Sequence, residues 1–260
     1  MGKKEQMTAV ITEQVCMTGD IYQMRIKAER IAAQAKAGQF VSLYCKEGGR
    51  LLPRPISICE IDREKGELRF VYRIVGAGTK EFSSLAAGEH IVVTGPLGNG
   101  FMTEDCTEGM HAVLLGGGIG IPPMLELAKA LPGEKTIVLG YRDADTFLAK
   151  EFEPYGRVVL ASDNGSAGVK GTVLDALRKE GIKGDMLFAC GPKPMLRGIK
   201  EYAKEQGLRA QLSLEERMAC GIGACLACVC KTTETDGHSQ VKNARVCKEG
   251  PVFYAEEIEL

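Results

Sequence analysis

Ala112-Val113-Leu114-Leu115-Gly116-Gly117-Gly118-Ile119-Gly120-Ile121-Pro122-Pro123-Met124 decides how the chain folds. Four apolar residues met at once by a glycine run read as a buried strand ending in a tight turn, and the prolines suit the first turn of a helix. Glycine lets the backbone turn sharply and a phosphate approach closely, while a helix start favours the ligand's negative charge. Gly116, Gly117, Gly118 and Gly120 are therefore candidate nucleotide contacts. The run departs from the dinucleotide fingerprint G-x-G-x-x-G, because Ile121-Pro122-Pro123 follows and no acidic residue ends a second strand at the expected place.

Working outward, the alternation continues toward the C-terminus. The pattern predicts helices over 122–131, 173–180 and 194–206, and strands over 136–141, 158–160 and 186–190. Strands alternating with helices make a parallel α/β sheet, expected over 106–211. Toward the N-terminus the rhythm is different. Short apolar runs at 22–26, 40–44, 68–72 and 91–93, separated by glycine-bearing turns, predict an antiparallel barrel over 1–105. Gly95-Pro96-Leu97-Gly98-Asn99-Gly100 breaks that rhythm and marks the change of domain. From 212 to 260 the chain is glycine- and cysteine-rich, with apolar stretches at 229–235 and 239–246 flanking Asp236-Gly237, the signature of a hairpin. The expected fold is thus multi-domain, β then α/β, with a small C-terminal module.

The 260 residues carry 33 Lys+Arg against 34 Asp+Glu, a formal net charge of −1. No basic field draws the chain to nucleic acid or an anionic membrane, so neither is an expected partner. No stretch approaches the run of about 18 apolar residues that a spanning helix needs, and the first residues lack a leader's apolar core. A cytoplasmic location is the expectation. His90, His111 and His238 read as surface or packing residues, and no residue stands out as an acid–base catalyst.

Ten cysteines fall into two populations. Cys16, Cys45, Cys59, Cys106 and Cys190 are scattered, whereas Cys220, Cys225, Cys228, Cys230 and Cys247 crowd the C-terminal module. Crowding of this kind in a chain without a secretion signal points to metal. Cys220-x4-Cys225-x2-Cys228, followed by Cys247 after 18 residues, matches the spacing by which plant-type ferredoxins hold a [2Fe–2S] cluster. A turn at Asp236-Gly237 would bring Cys247 back opposite residues 226–228. Structural zinc is the rival, although it more often uses two separated C-x2-C knuckles or paired histidines. Cys230 reads either as a ligand or as a small buried residue.

Two elements of the barrel offer anion contacts. Arg54-Pro55-Ile56-Ser57 supplies a guanidinium and a hydroxyl. Arg73-Ile74-Val75-Gly76-Ala77-Gly78-Thr79 supplies small residues at a helix start, where amides can reach phosphate. In the α/β part, Cys190-Gly191-Pro192 ends a strand beside the glycine turn. Tyr141-Arg142-Asp143 and Ser162-Asp163-Asn164 end two more. Asp163 would repel a 2′-phosphate, which favours NAD over NADP.

Taken together these motifs resemble the ferredoxin–NADP reductase superfamily, with its R-x-[YFI]-[ST] and G-x-x-[ST] elements in the barrel and its G-G-G-x-G-[IL]-[AP]-P and C-G-P-x-x-M turns. The resemblance covers nearly the whole chain. It implies FAD on Arg54, Pro55, Ile56, Ser57, Tyr72, Arg73, Ile74, Gly78 and Thr79, and NAD on Gly116, Gly117, Gly118, Gly120, Cys190, Gly191 and Pro192. The tail Glu216-Arg217-Met218-Ala219-Cys220-Gly221-Ile222-Gly223-Ala224-Cys225-Leu226-Ala227-Cys228 is similar to that of the electron-transfer subunits of dihydroorotate dehydrogenase B. That likeness implies a [2Fe–2S] cluster on Cys220, Cys225, Cys228 and Cys247. It also implies an FMN-containing catalytic partner in a two-plus-two heterotetramer, and delivery of electrons to NAD+ in pyrimidine biosynthesis. Sulfhydrogenase gamma subunits and the small subunit of NADH-dependent ferredoxin–NADP oxidoreductase share the layout; in the latter an aspartate can replace one cluster cysteine, whereas all four positions here are cysteine. A redox sensor without enzymatic turnover is the reading from a different class. Ile222, Leu226 and Val252 could form a docking surface or shield the iron.

Overall fold

The structure is a computed structural model that describes residues 3–235 and 240–260. Its first unit contains β1 (Glu5–Thr18), β2 (Ile21–Lys27), α1 (Glu29–Ala32), β3 (Phe40–Tyr44), β4 (Arg54–Ser57), β5 (Glu60–Asp62), β6 (Glu67–Arg73), α2 (Ala77–Ser83) and β7 (His90–Leu97). The strands form one antiparallel sheet in the order β4-β3-β7-β1-β2-β6-β5. The sheet curls until β4 meets β6. Alternate residues point inward, as the two-residue period of a strand requires. Ile11, Met24, Ile26, Val41, Leu43, Phe70 and Val93 fill the interior with Phe82 of α2. Each such side chain removed from water contributes about 2 kcal/mol.

The second unit contains β8 (His111–Gly117), α3 (Pro122–Ala130), β9 (Glu134–Tyr141), β10 (Arg157–Ser162), β11 (Val169–Lys170), α4 (Val173–Lys179), β12 (Met186–Cys190), α5 (Lys193–Gln206) and β13 (Arg209–Ser213). The strands and helices read from the sequence are present with ends shifted by a few residues. Their ends follow local chemistry. Pro122 opens α3, the Thr172 hydroxyl accepts from Asp175 N–H at the start of α4, and Gly207 closes α5 at φ +65.

The tail adds β14 (Val229–Thr232), β15 (Asn243–Arg245), β16 (Val252–Tyr254) and β17 (Ile258–Glu259). β14 and β15 pair antiparallel, Val229 with Arg245 and Lys231 with Asn243. The strands are shorter than the apolar stretches suggested, and Asp236-Gly237, the expected turn, lies outside the described residues. One feature was not legible. β16 leaves the tail and pairs with β13, so the second sheet runs β11-β10-β9-β8-β12-β13-β16. The cysteine-bearing tail is therefore stitched into the α/β sheet rather than appended to it.

The two large units are joined by buried charge. Arg69, 4% exposed, reaches from the curled sheet to Glu151 (Nη2 to Oε1, 2.8 Å) and donates Nε to Gln23 Oε1 at 2.6 Å. Lys129 of α3 pairs with Glu60 of β5, and Ile61 N–H donates to Glu126 Oε2 at 2.9 Å. Arg69 is buried, so losing its acceptors would strand a charge, which favours one mutual placement of the units. No helix among the described residues is long and apolar enough to cross a membrane.

Candidate functional site

β8 and β12 lie side by side and parallel, with Gly116 in register with Cys190. From β8 the chain proceeds to β9 on one side, while β12 lies on the other, so the strand order reverses between them. Open α/β sheets bind ligands beyond the strand ends at such a point. Both predicted turns meet there. A β-carbon on Gly120 would overlap the Cys190 carbonyl and stand 2.7 Å from Gly191 N, and one on Gly117 would stand 2.5 Å from Met195 Sδ. Gly118 has φ +55, open to glycine at little cost. Pro192 precedes the first turn of α5. Burial pushes the Cys190 thiol up to about 12, so at neutral pH it is uncharged. Asp163 and Arg142 are exposed at the ends of β10 and β9.

The barrel contacts gather on the β4 side. Arg54 and Pro55 pair with Leu43 and Ser42 of β3. Arg54, Pro55 and Ile56 are half-buried and Ser57 is exposed, as suits a strand that keeps one side open. The Arg54 guanidinium lies over the first turn of α2, where any side chain on Gly78 would collide with it. That arrangement is a cradle for a doubly charged phosphate group: a cation above, small residues and backbone amides below. Arg73 belongs to the same end of the sheet. Its Nε is buried without a hydrogen bond, 3.4 Å from Asp20 Oδ2, a donor still able to take an acceptor. Ile74 N–H donates to Asp20 O at 2.9 Å.

Two expected contacts are placed differently. Tyr72 is 2% exposed, its hydroxyl accepts from Gln14 Nε2 at 2.9 Å, and its ring packs on Tyr22 and Phe82 in the barrel core. Burial raises it to about 12. The strand register that sends Arg73 outward sends Tyr72 inward, so its side chain serves the core. Thr79 likewise turns its hydroxyl onto its own helix start, accepting from Val75 N–H at 2.9 Å and Gly76 N–H at 3.3 Å.

The four cysteines come together as two pairs. Cys220 and Cys225 have sulfurs 3.3 Å apart. Cys247 N–H donates to Cys228 Sγ at 3.5 Å, and Val246 N–H donates to Cys228 O at 2.9 Å, which places Cys247 where the hairpin register requires. Gly221 at φ +66 and Gly223 at φ +85 let the loop curl. Desolvation opposes ionisation of Cys220, yet the N–H groups of Cys225, Ile222 and Ala224 aimed at its sulfur hold it down at about 6. Cys247 goes the other way, pushed up to about 12 by burial and by neighbouring Cys228. Cys230 lies two residues on, 7% exposed, in the apolar cluster with Leu212, Val246 and Ile258, and burial raises it to about 11. No three His, Cys, Asp or Glu side chains gather around one ion site among the described residues. Two thiol pairs, Cys220 with Cys225 and Cys228 with Cys247, are a donor set of the kind that iron–sulfur clusters use.

The cysteine loop sits on the barrel beside the Arg54 strand. A β-carbon on Gly221 would stand 2.9 Å from Ser42 Oγ and 3.6 Å from Leu97 Cδ1, and Lys4 Nζ donates to Ile222 O at 3.3 Å. Arg245 closes the loop onto the fourth cysteine, donating Nη1 to Gly223 O at 2.8 Å and Nε to Glu249 Oε2 at 3.0 Å. Of the three apolar residues near the cysteines, Ile222 and Leu226 are exposed (47% and 71%) and Val252 is buried. Ser42, Arg245 and Asn99, whose Nδ2 donates to Glu249 O at 2.9 Å, carry these placements, and sequence reasoning did not single out any of them as a site residue. Only Asn99 had a signal, as part of the glycine-rich break.

Residues 7–101 match the family of oxidoreductase FAD-binding domains, and residues 215–259 match the iron–sulfur cluster binding domain of dihydroorotate dehydrogenase B. The chain is 41% identical over 265 residues to the dihydroorotate dehydrogenase B (NAD(+)) electron transfer subunit of Geobacillus sp. (strain WCH70), and 42% identical over 266 residues to that of Bacillus cereus (strain G9842). Both alignments cover 100% of each chain. Among solved structures it is similar to one described for flavin-based electron bifurcation by an NADH-dependent reduced ferredoxin–NADP oxidoreductase. That match has 31% identity and a TM-score of 0.86, covering 96% of this chain and 89% of the other.

Proposed function

The chain belongs to the family of dihydroorotate dehydrogenase B electron transfer subunits, and from that premise we propose that it carries electrons from a catalytic partner through an iron–sulfur cluster and FAD to NAD+. The partner is an FMN-containing dihydroorotate dehydrogenase, the assembly a heterotetramer of two plus two chains, the setting cytoplasmic pyrimidine biosynthesis. A cluster exchanges single electrons, nicotinamide exchanges a hydride pair, and flavin handles both, so a flavin stands between the other two.

The chain's own residues divide that task. Cys220 with Cys225 and Cys228 with Cys247 hold the two irons of a [2Fe–2S] cluster, in the module 212–260. Arg54 and Arg73 grip the FAD pyrophosphate over the small residues of α2, with Pro55, Ile56, Ser57, Ile74 and the backbone of Tyr72, Gly78 and Thr79 around it, in the barrel 1–105. Gly116, Gly117, Gly118 and Gly120 seat the NAD pyrophosphate, while Cys190, Gly191 and Pro192 wall the nicotinamide side, in the domain 106–211. Exposed Ile222 and Leu226 leave the cluster edge open to the electron donor.

One observation carries the reading: the cysteine loop rests on Ser42, whose cross-strand partner is Pro55 of the flavin strand. In this reading the cluster and flavin sites are neighbours across one strand. Purification of the chain from its native host tests the assignment. The proposal expects an FMN protein to accompany it and dihydroorotate to reduce NAD+ in the complex. An accompanying partner without FMN, or a complex inert to dihydroorotate, would contradict it.

A further inference from the structure

We infer that Asn99 is a positioning residue whose side-chain amide holds the turn bearing the fourth cysteine against the barrel, and so sets how fast electrons cross between cluster and flavin. This rests on the reading that the four cysteines hold a cluster and that Arg54-Pro55-Ile56-Ser57 belongs to a flavin site.

Asn99 lies two residues beyond Leu97, the last residue of β7, whose side chain a β-carbon on Gly221 would meet at 3.6 Å. Its Nδ2 donates to Lys248 O at 3.2 Å and Glu249 O at 2.9 Å, and its backbone N–H donates to Gly250 O at 2.7 Å. These three carbonyls follow Cys247 in succession. An amide nitrogen with two hydrogens can serve two consecutive carbonyls, which a hydroxyl with its single hydrogen cannot. The roles of Asn99 and Arg245 are separate. Arg245 ties the three-cysteine loop to the turn after Cys247, within the tail itself. Asn99 ties that turn to the sheet that carries the flavin strand. Loss of Arg245 would therefore loosen the cluster's grip, whereas loss of the Asn99 amide would shift a cluster that is still gripped. Asn99 is exposed, so trimming it opens no core cavity, and the backbone bond to Gly250 keeps the turn roughly in place.

The test compares Asn99→Ala and Asn99→Asp with the parent protein, all loaded with iron and FAD. The aspartate keeps the shape, but it cannot donate and faces two carbonyls. Stopped-flow spectra after mixing with NADH separate bleaching of the flavin from later bleaching of the cluster. Both variants should bleach the flavin at the parental rate and reduce the cluster measurably more slowly, because the cluster would sit displaced from the flavin. Iron content and the paramagnetic line shape should match the parent. Amide hydrogen exchange at 248–250 should be faster. Equal slowing of both phases, unchanged cluster reduction, or loss of iron would overturn the inference. A parent protein that shows no second phase would instead overturn the relay beneath it.

Discussion

Gly221 lies against Ser42, close enough that a β-carbon on the glycine would stand 2.9 Å from the serine hydroxyl oxygen. Ser42 is buried and pairs across the sheet with Pro55. The residue next to the first cysteine thus touches the strand next to the flavin strand. Gly221→Ala must place a side chain at φ +66, which costs about 1–2 kcal/mol before the contact is counted. The expected result is a protein that keeps FAD and loses most of its iron, read by visible absorption and iron analysis. Full iron content would show that the loop can move away from Ser42.

Cys230 separates the two readings of the fifth thiol. It packs with Val246 and Ile258, and its backbone pairs with Ala244. Cys230→Ser should keep the cluster spectrum and cost about 1 kcal/mol of stability from burying a hydroxyl. Cys228→Ser should abolish the spectrum. Reversed outcomes would exchange their roles.

Arg54 stands above the first turn of α2. Arg54→Ala removes a charge-assisted contact worth about 2 kcal/mol, so FAD should bind roughly 30-fold more weakly, measured by fluorescence of released flavin. Lysine at 54 should recover only part of this, because it lacks the planar fork. Parental affinity in the alanine variant would remove Arg54 from the pyrophosphate site.

Asp175 gives a pH dependence of known sign. Thr172 N–H and hydroxyl both donate to its carboxylate at 2.7 Å and hold it below the usual aspartate range. A depressed folded value means the contribution is present above the unfolded value, about 3.9, and is lost as pH falls through the folded one. Asp175→Ala should lower stability in thermal unfolding at neutral pH by removing half of the capping box. The gap to the parent should close in acid, and a gap independent of pH would contradict the capping role.

Much of this was legible because periodicity and glycine leave marks in sequence. The run from Ala112 to Met124 announced strand, turn and helix, and the Cys220 to Cys247 spacing matched a hairpin that brings Cys247 onto Cys228. Other features left no such mark. β16 is three residues long, and its place beside β13 is set by tertiary packing rather than by local pattern. Tyr72 sits beside Arg73 in the chain, so a motif groups them, yet strand alternation sends them to opposite faces. Ser42 and Arg245 are single polar residues whose roles exist only once distant strands meet.

Anaerobic addition of NADH to the isolated, iron-loaded chain, followed by low-temperature electron paramagnetic resonance, tests the relay most directly. The account predicts that the flavin band bleaches and that the rhombic signal of a reduced [2Fe–2S] cluster then appears without any partner protein. Bleached flavin beside a silent cluster, in protein that holds its full iron, would contradict it.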